Sequence, residues 1–175
     1  PLAVAFRDAD LADDPSNLPR LFEPIATGEA DLVMGSRVRL AESGALETHQ
    51  RLGNALARGL IGLITAHHYR DLGPMRAIRW SSLGPLAMRD RTWGWTVEMQ
   101  FKAARLGLRV RELDVPYRRR RAGHSKISGS LIGSMRAGIR IIATIVHLWW
   151  TVRRPVKAEP HHRAREKKLD RRRSR

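Results

Sequence analysis

The first ten residues, PLAVAFRDAD (1–10), decide the fold that the rest of the chain must complete. Residues 1–6 are uncharged and mostly apolar, which predicts a buried strand, and Asp8 and Asp10 follow that strand at once. Open α/β sheets bind ligands at the carboxyl ends of their strands, so both carboxylates are expected at a binding edge. One or two carboxylates with phosphate oxygens are a common setting for a hard divalent cation. A short acidic turn in solvent is the alternative interpretation.

The residues after this strand predict a helix and then a second strand. Residues 17–26 carry apolar side chains at helical spacing, with Ser16 as the expected N-cap. Residues 31–38 form the second strand, in which Gly35 permits a close backbone approach. The order strand, helix, strand predicts a βαβ unit and therefore a parallel sheet.

Further along the chain, alternating helix and strand patterns continue the α/β interpretation. The apolar spacing predicts a long amphipathic helix over 49–68, a strand over 75–78, a short helix over 81–88, a helix over 95–106 and a strand over 110–117. Pro116 cannot donate a backbone hydrogen bond, so the last strand is expected at an edge of the sheet or to end there.

Residues 128–154 predict an amphipathic helix that does not span a membrane. The longest uncharged run, 141–152, is too short to cross a bilayer. Trp149 and Trp150 followed by Arg153 and Arg154 suit a helix lying in the membrane interface, with indoles at headgroup level. A helix packed on the domain is the equal alternative.

The charge of the chain requires an anionic partner. The formal net charge is +16 at pH 7, and much of the positive charge lies near the C-terminus, in residues 153–175. Residues 155–175 contain almost no large apolar side chains, which predicts a disordered basic tail. This tail is either a solubilising appendage or a segment that binds the anionic membrane surface. It lacks the interleaved aromatic residues of a nucleic-acid reader, so no specific nucleic acid is expected as a partner.

The absence of cysteine narrows the possible chemistry. Without a single cysteine among 175 residues, disulfides, thiolate catalysis and thiolate metal ligation are excluded. Carboxylates, histidine and water remain as metal ligands.

A second group of polar residues surrounds a glycine turn at 118–126, where four arginines precede the sequence AGHSK. Guanidinium groups, the Ser125 hydroxyl and the Lys126 ammonium together could enclose a phosphate, with arginine supplying bidentate geometry. A generic basic patch is the alternative for this segment taken alone.

The order of these short motifs is more specific than any one of them. After the acidic strand end come GSR (35–37), RLGN (51–54), DLGPMRA (71–77), WTVEMQ (95–100) and RRAGHSKISG (120–129). In this order the chain resembles family 2 glycosyltransferases of the dolichyl- or polyprenyl-phosphate mannose and glucose synthase kind. The resemblance covers about residues 2–145.

The resemblance implies a partial GT-A fold, which is a Rossmann-like α/β sheet with flanking helices, a C-terminal amphipathic helix and the basic tail. It implies a catalytic domain over 1–127, the amphipathic helix over 128–154 and the tail over 155–175. It also implies that Asp8 and Asp10 hold Mg²⁺ or Mn²⁺ against the diphosphate of a nucleotide-sugar donor. The enzyme is expected at the cytoplasmic face of the membrane as a peripheral protein.

The resemblance further implies a set of substrate-binding and catalytic residues. Arg120, Ser125 and Lys126 would contact phosphate at the reaction centre, with Arg121 as the alternative to Arg120. Positions expected to contact substrate also include Arg37, Asp71 and Arg76, and the catalytic residues are expected to be Asp10, Glu98 and Arg120. A polyprenyl-phosphate oxygen would attack the anomeric carbon with inversion, and because that oxygen is already anionic, no strong general base is needed.

The chain departs from the family pattern in two ways. Some members place glutamine two residues after the second aspartate as a further metal ligand, where this chain has Ala12. The nucleotide-binding strand and turn of the family would precede Pro1, so we expect a fragment with impaired activity and no turnover by these residues alone. A basic binding module for membrane or nucleic acid, and a degenerate product without activity, are the alternative hypotheses.

Overall fold

A computed structural model describes residues 1–10, 12–45, 48–92, 94–118 and 131–152, with residues 48, 49 and 131–137 described for the backbone alone. Its strands are β1 (Ala3–Phe6), β2 (Leu32–Ser36), β3 (Arg76–Arg79) and β4 (Val110–Asp114). Its helices are α1 (Leu18–Ala26), α2 (Thr48–Thr65), α3 (Trp80–Leu86), α4 (Trp95–Arg105) and α5 (Leu131–Thr151), with a 3₁₀ turn at Pro15–Asn17. These bounds confirm the α/β class and the predicted order of elements.

The sheet is mixed, and the prediction of a parallel sheet was wrong in this respect. The strand order is β1-β3-β2-β4, with β3 antiparallel to β1 and β2, and β4 parallel to β2. β1 and β2 run in the same direction, as a βαβ unit requires, but β3 lies between them. The reason is a contact between residues distant in the sequence: Asp71 accepts a hydrogen bond from the Arg37 backbone N–H at 2.9 Å. This bond returns the chain to the carboxyl end of β2, so the strand that begins there must run backwards.

The strands alternate their side chains between two hydrophobic clusters, as the period of two requires. Leu32 and Met34 of β2 and Ile78 of β3 point to the cluster that α2, α4 and α5 cover. Val33 and Ala77 point to the opposite face, where Leu21 and Ile25 of α1 pack. The described part of the chain is therefore a three-layer α/β/α arrangement, consistent with a partial Rossmann-like GT-A fold.

Two local predictions have different outcomes. Ser16 is not the N-cap: the carboxylate of Asp14 caps the 3₁₀ turn by accepting from the Ser16 N–H at 3.0 Å, and α1 begins only at Leu18. Proline at position 15 favours this extra turn because its fixed φ suits a helix start. The edge position of β4 is confirmed, since within the described sheet this strand pairs with β2 alone.

The α5 helix packs on the domain and also leaves an apolar face exposed. Ile145 and Leu148 are buried in the cluster shared with α2 and α4. Trp149 and Trp150 are 52% and 75% exposed. The buried side chains therefore support a helix packed on the domain, and the exposed tryptophans suit a helix in the membrane interface.

Within the residues that the structure describes, no helix combines the length and the apolar character needed to cross a bilayer.

Candidate active site

The first of the two carboxylates after β1, that of Asp8, borders a cavity at the carboxyl end of this strand. This cavity has a volume of about 510 Å³, and its lining includes Asp8, Arg91 and Trp95. Asp10 is half-buried, and its Oδ1 accepts a hydrogen bond from the Ala12 N–H at 3.1 Å, which fixes the turn. The predicted acidic strand end therefore lies beside an opening large enough for a small-molecule ligand.

The carboxylates of Asp8 and Asp10 fit a hard divalent cation only as part of a shared coordination sphere. Among the described residues, no group of three or more His, Cys, Asp and Glu side chains is arranged to hold a metal ion. Ala12 supplies no side-chain oxygen. Mg²⁺ is commonly bound by one or two carboxylates together with substrate phosphates and water, so the donor set fits a cation that arrives with a diphosphate.

Asp13 lies behind this acidic turn and is the least expected residue of the site. Its side chain is 1% exposed, and neither carboxylate oxygen has a hydrogen-bond partner among the described residues. The pKa of Asp13 is raised to about 6, first by burial and also by the nearby charges of Asp8 and Asp10, while Arg37 and Arg7 oppose the shift. The sequence analysis gave this residue no role, because a run of acidic residues at 8–14 suggests a solvated turn.

Arg37 and Asp71, both expected to bind substrate, are bonded to each other. The Arg37 guanidinium donates two hydrogen bonds to the Asp71 carboxylate, at 2.8 and 3.0 Å. Asn54 Nδ2 and the Leu72 N–H donate to the same carboxylate, each at 2.8 Å. Burial acts to raise the pKa of Asp71, but the hydrogen bonds and charge of Arg37 and the Leu72 N–H hold it below its usual value.

The same cluster explains three of the motifs found in the sequence. Arg37 follows β2, Asn54 lies on α2 and Asp71 begins the segment before β3. A Cβ added to Gly73 would lie 2.6 Å from the Gly35 carbonyl oxygen, so the lack of a side chain at Gly73 allows these segments to touch, and a Cβ added to Gly35 would lie 2.7 Å from Val115 Cγ2. The predicted close backbone approach at Gly35 is confirmed. Substrate contact by Arg37 and Asp71 stays a prediction.

Arg76 is fully buried beneath the site. Its guanidinium donates to the carbonyl oxygens of Pro74 at 3.3 Å and Thr96 at 3.2 Å, and also to that of Gly73. Its Cζ lies 5.5 Å from the Trp95 ring centroid. Burial lowers the pKa of Arg76 to about 10. These contacts join the DLGPMRA segment to the start of α4, next to the cavity that contains Asp8.

Glu98 is buried and fully hydrogen-bonded, although the sequence analysis expected it to be catalytic. Its carboxylate accepts from the N–H groups of Arg89 and Asp90, the latter at 2.7 Å, and lies 2.7 Å from Lys102 Nζ. Lys102 in turn donates to the Ala87 carbonyl oxygen at 2.7 Å, where φ is +44°. The described geometry makes Glu98 an anchor for residues 87–92, and a catalytic contact stays a prediction.

The anchored segment at 87–92 separates two cavities. Asp90 and Arg91 line both the cavity beside Asp8 and a second cavity of about 760 Å³ between this segment, α4 and α5. Neither residue was selected in the sequence analysis. The only available signal was a short charged run, Arg89-Asp90-Arg91, directly before the WTVEMQ motif.

Four predicted site residues, Arg120, Arg121, Ser125 and Lys126, lie outside the described residues. Their expected place beside the acidic strand end stays a prediction, and so does the disorder of the tail over 155–175.

A mixed α/β sheet covered on both faces, with carboxylates at the end of a strand, is the arrangement expected of a GT-A glycosyltransferase. No family model matches the chain. An uncharacterized glycosyltransferase of Mycobacterium tuberculosis is 38% identical over 134 residues, which cover 77% of this chain and 61% of the relative. Undecaprenyl-phosphate mannosyltransferase of Micrococcus luteus is 35% identical over 131 residues, which cover 72% of this chain and 53% of the relative.

A more distant glycosyltransferase of Haloferax volcanii is 27% identical over 150 residues, which cover 84% of this chain and 23% of the relative. The chain spans 61% or less of the length of the relatives cited here. These similarities to proteins named as glycosyltransferases support the family that the motifs of the chain resemble.

Proposed function

We propose that the protein transfers a sugar from a nucleotide-sugar donor to a polyprenyl phosphate. A phosphate oxygen of the lipid attacks the anomeric carbon, the bond from that carbon to the nucleoside diphosphate breaks, and the configuration inverts. The observation that carries the proposal is the acidic strand end, where Asp8 lines a cavity together with Arg91 and Asp10 follows two residues later. The similarity to undecaprenyl-phosphate mannosyltransferase supports the choice of acceptor.

The chain's own residues would contribute positioning and charge neutralisation. Asp8 and Asp10 would hold a Mg²⁺ or Mn²⁺ ion, which supplies positive charge to the leaving diphosphate. Arg7 and Arg91 are cations that line the same cavity as Asp8. The lipid phosphate is anionic near neutral pH, so the reaction does not need Glu98 as a base.

Metal binding gives the first test of this site. We expect Mn²⁺ and a nucleoside diphosphate to bind together, and the double substitution Asp8→Asn with Asp10→Asn to lower Mn²⁺ affinity at least about tenfold, which is about 1.4 kcal/mol. Electron paramagnetic resonance of free Mn²⁺ measures the affinity directly. Asp14→Asn is the matched control, because this carboxylate caps the nearby 3₁₀ turn instead. Equal affinity in the double variant and the wild type would contradict the metal site.

Sugar transfer is tested with the 175-residue chain in excess over labelled nucleotide sugars and undecaprenyl phosphate. The sequence predicts no turnover by these residues alone, so product from even a single turnover would contradict that prediction while supporting the proposed function. Product that disappears with Asp8→Asn and Asp10→Asn supports the proposal. Product that survives the double variant, or a chain that neither transfers sugar nor binds Mn²⁺ with a diphosphate, argues for the alternative of a basic binding module.

The proposed acceptor places the reaction at a membrane surface, and two packed helices offer a face for it. α2 exposes Leu52, Leu56 and Leu63 on one side. α5 exposes a stripe of five apolar side chains, namely Ile139, Ile142, Val146, Trp149 and Trp150. Exposed apolar stripes on a strongly cationic protein suit insertion into an anionic interface, with peripheral attachment at the cytoplasmic face.

Vesicles of phosphatidylglycerol and phosphatidylcholine test this attachment. We expect Trp149→Ala with Trp150→Ala to weaken vesicle binding at least about tenfold, because two indoles no longer enter the interface. Trp80→Ala is the matched control, since Trp80 is 51% exposed on α3. Co-sedimentation at low and high NaCl measures the apolar and the electrostatic contributions to vesicle binding. Binding should weaken at high NaCl because salt screens the cations. Equal losses in the tryptophan variants would argue against an α5 interface.

A further inference from the structure

The second cavity, between residues 85–92, α4 and α5, combines cationic and apolar walls. Its cations are Arg89, Arg91, Lys102 and Arg140. Its apolar walls come from Leu86, Leu106, Leu148 and Val152. A volume of about 760 Å³ lies in the range of small-molecule sites. This combination suits a ligand that has an anionic head and an apolar chain.

The net charge of the cavity remains positive after its internal pairs are counted. Glu98 and Lys102 neutralise each other at 2.7 Å. Asp90 Oδ1 accepts from the Thr92 N–H at 2.6 Å and the Thr92 hydroxyl at 2.7 Å, so this carboxylate is held against its own segment. Three arginines then face one aspartate, which favours an anionic ligand.

The helix α5 connects this cavity with the exposed apolar stripe. At about 100° per residue, the stripe occupies roughly a third of the helix circumference. The cavity face lies directly next to it and carries Arg140, Ala143, Thr144, His147 and Thr151. The cavity therefore lies about a quarter turn around α5 from the exposed stripe. A lipid in a membrane that contacts the stripe could reach the cavity over this short distance.

The segment 87–92 connects the same cavity with the carboxylates after β1. Arg91 and Asp90 belong to both linings, and Asp8 belongs to the other one. Glu98 and Lys102 fix the backbone of this segment. The buried Gly94 leaves no space behind it, because an added Cβ would overlap the Asp90 carboxylate and lie 2.9 Å from Thr144 Oγ1. The segment 87–92, which forms the wall between the two cavities, is thus held in place by specific side-chain contacts.

We propose that the cavity bounded by α4, α5 and residues 85–92 holds the head and the first units of a phosphorylated lipid. Arg91 and Arg140 bind its phosphate, Leu106 and Leu148 contact its chain, and the rest of the chain stays in the membrane at the α5 stripe. Arg91 then holds the phosphate at the boundary with the cavity of Asp8. The proposal rests on the proposed function for the identity of the lipid as acceptor.

The absence of cysteine allows a direct test by thiol protection. Ala143→Cys places one thiol in the cavity, and Ala26→Cys places one on the exposed surface of α1 across the sheet. We expect farnesyl phosphate to slow maleimide labelling of the Ala143→Cys variant at least about tenfold at saturation and to leave the Ala26→Cys variant unchanged. Farnesol and inorganic phosphate, as separate probes, should each protect less, since each has only half of the recognised chemistry.

A charge substitution separates the site from general hydrophobic binding. Arg91→Gln should raise the concentration of farnesyl phosphate needed for protection about tenfold or more, as the loss of a charge-assisted hydrogen bond implies. Arg20→Gln removes the same charge on α1 and should change nothing. Both side chains are exposed, so neither substitution removes packing from a buried core.

Several outcomes would overturn the inference. Protection at both thiols, protection that Arg91→Gln leaves unchanged, or no protection at Ala143→Cys would each do so. Sugar transfer to polyprenyl phosphate without protection at Ala143→Cys would keep the proposed function and reject this cavity. Protection without any transfer or metal binding would keep the lipid site and reject the proposed function.

Discussion

Replacing Asp71 with asparagine should lower the free energy of unfolding by about 3–5 kcal/mol. The Asp71 side chain is 1% exposed and its Arg37 partner 14% exposed, so the change leaves a largely desolvated guanidinium without its counter-charge. The amide also presents N–H groups to donors that had an anionic acceptor. Chemical denaturation at pH 7 measures the loss, which should be large for a domain of this size.

An exposed pair of the same kind provides the comparison for this prediction. Glu29 and Arg111 form an ion pair in which both side chains are about half exposed, 55% and 49%. Glu29→Gln should therefore cost less than about 1 kcal/mol. Combining Asp71→Asn with Arg37→Gln should cost less than the sum of the single changes, because the stranded charge is then removed as well.

The result also distinguishes a structural role from the substrate role expected for Arg37 and Asp71. If the pair acts on substrate alone, Asp71→Asn will leave the unfolding midpoint unchanged and weaken only ligand binding. A stability loss below about 1 kcal/mol would therefore contradict the structural assignment. A loss in the expected range explains why residues 35–37, 51–54 and 71–77 form sequence motifs at all: they tie β2, α2 and β3 together at the edge where ligands bind.

The elements of the fold were accessible from the sequence, but the arrangement of its sheet was not. Apolar spacing located α2, α4 and β4 to within a few residues because each buries one face in a local pattern. The insertion of β3 between β1 and β2 depends on the contact of Asp71 with Arg37, which are 34 residues apart. No periodicity reports such a contact, so the sequence predicted a parallel sheet where the structure has a mixed one.

The residues of the candidate site likewise include some that the sequence predicted and some that it did not. Asp8 was predictable because a strand end locates it, and the structure puts it beside a cavity. The anchoring contacts of Glu98 were not predictable, since a glutamate in an amphipathic helix suggests an exposed position whereas this one is 3% exposed. The Glu98 carboxylate accepts hydrogen bonds from the backbone N–H groups of Arg89 and Asp90, and so holds Asp90 and Arg91 between the two cavities. No sequence pattern indicates these contacts.

Asp13 should also have a large effect on the free energy of unfolding, and the size of this effect depends on pH. Its pKa is raised from 3.8 to about 6 in the folded protein, with burial as the first cause. In the unfolded chain the carboxyl loses its proton near pH 4. Between these values the folded state binds more protons than the unfolded state, so stability falls as the pH rises from about 4 to about 6 and stays low above it.

The size of this loss follows from the shift. At about 1.4 kcal/mol per pKa unit, a shift from 3.8 to about 6 corresponds to about 3 kcal/mol of stability lost at pH 7.5. The carboxylate has no hydrogen-bond donor among the described residues to offset the burial of its charge. A buried aspartate with this cost suits a site that faces positive charge, which the divalent cation proposed at Asp8 and Asp10 would supply.

Asp13→Asn should therefore stabilise the protein by up to about 3 kcal/mol at pH 7.5 and by almost nothing at pH 4, because the uncharged amide avoids the cost of ionisation. Denaturation curves in EDTA, measured at several pH values between these two, give the pH profile of stability.

Asp14→Asn is the matched control, for which we expect a change of stability with the opposite sign. Its pKa is lowered by the Ser16 N–H, so removing that carboxylate should reduce stability at high pH and have less effect at low pH. An Asp13→Asn profile parallel to that of the wild type would show that the buried carboxyl keeps its ordinary pKa, and adding Mn²⁺ should shrink the advantage of the variant if the cation lies nearby.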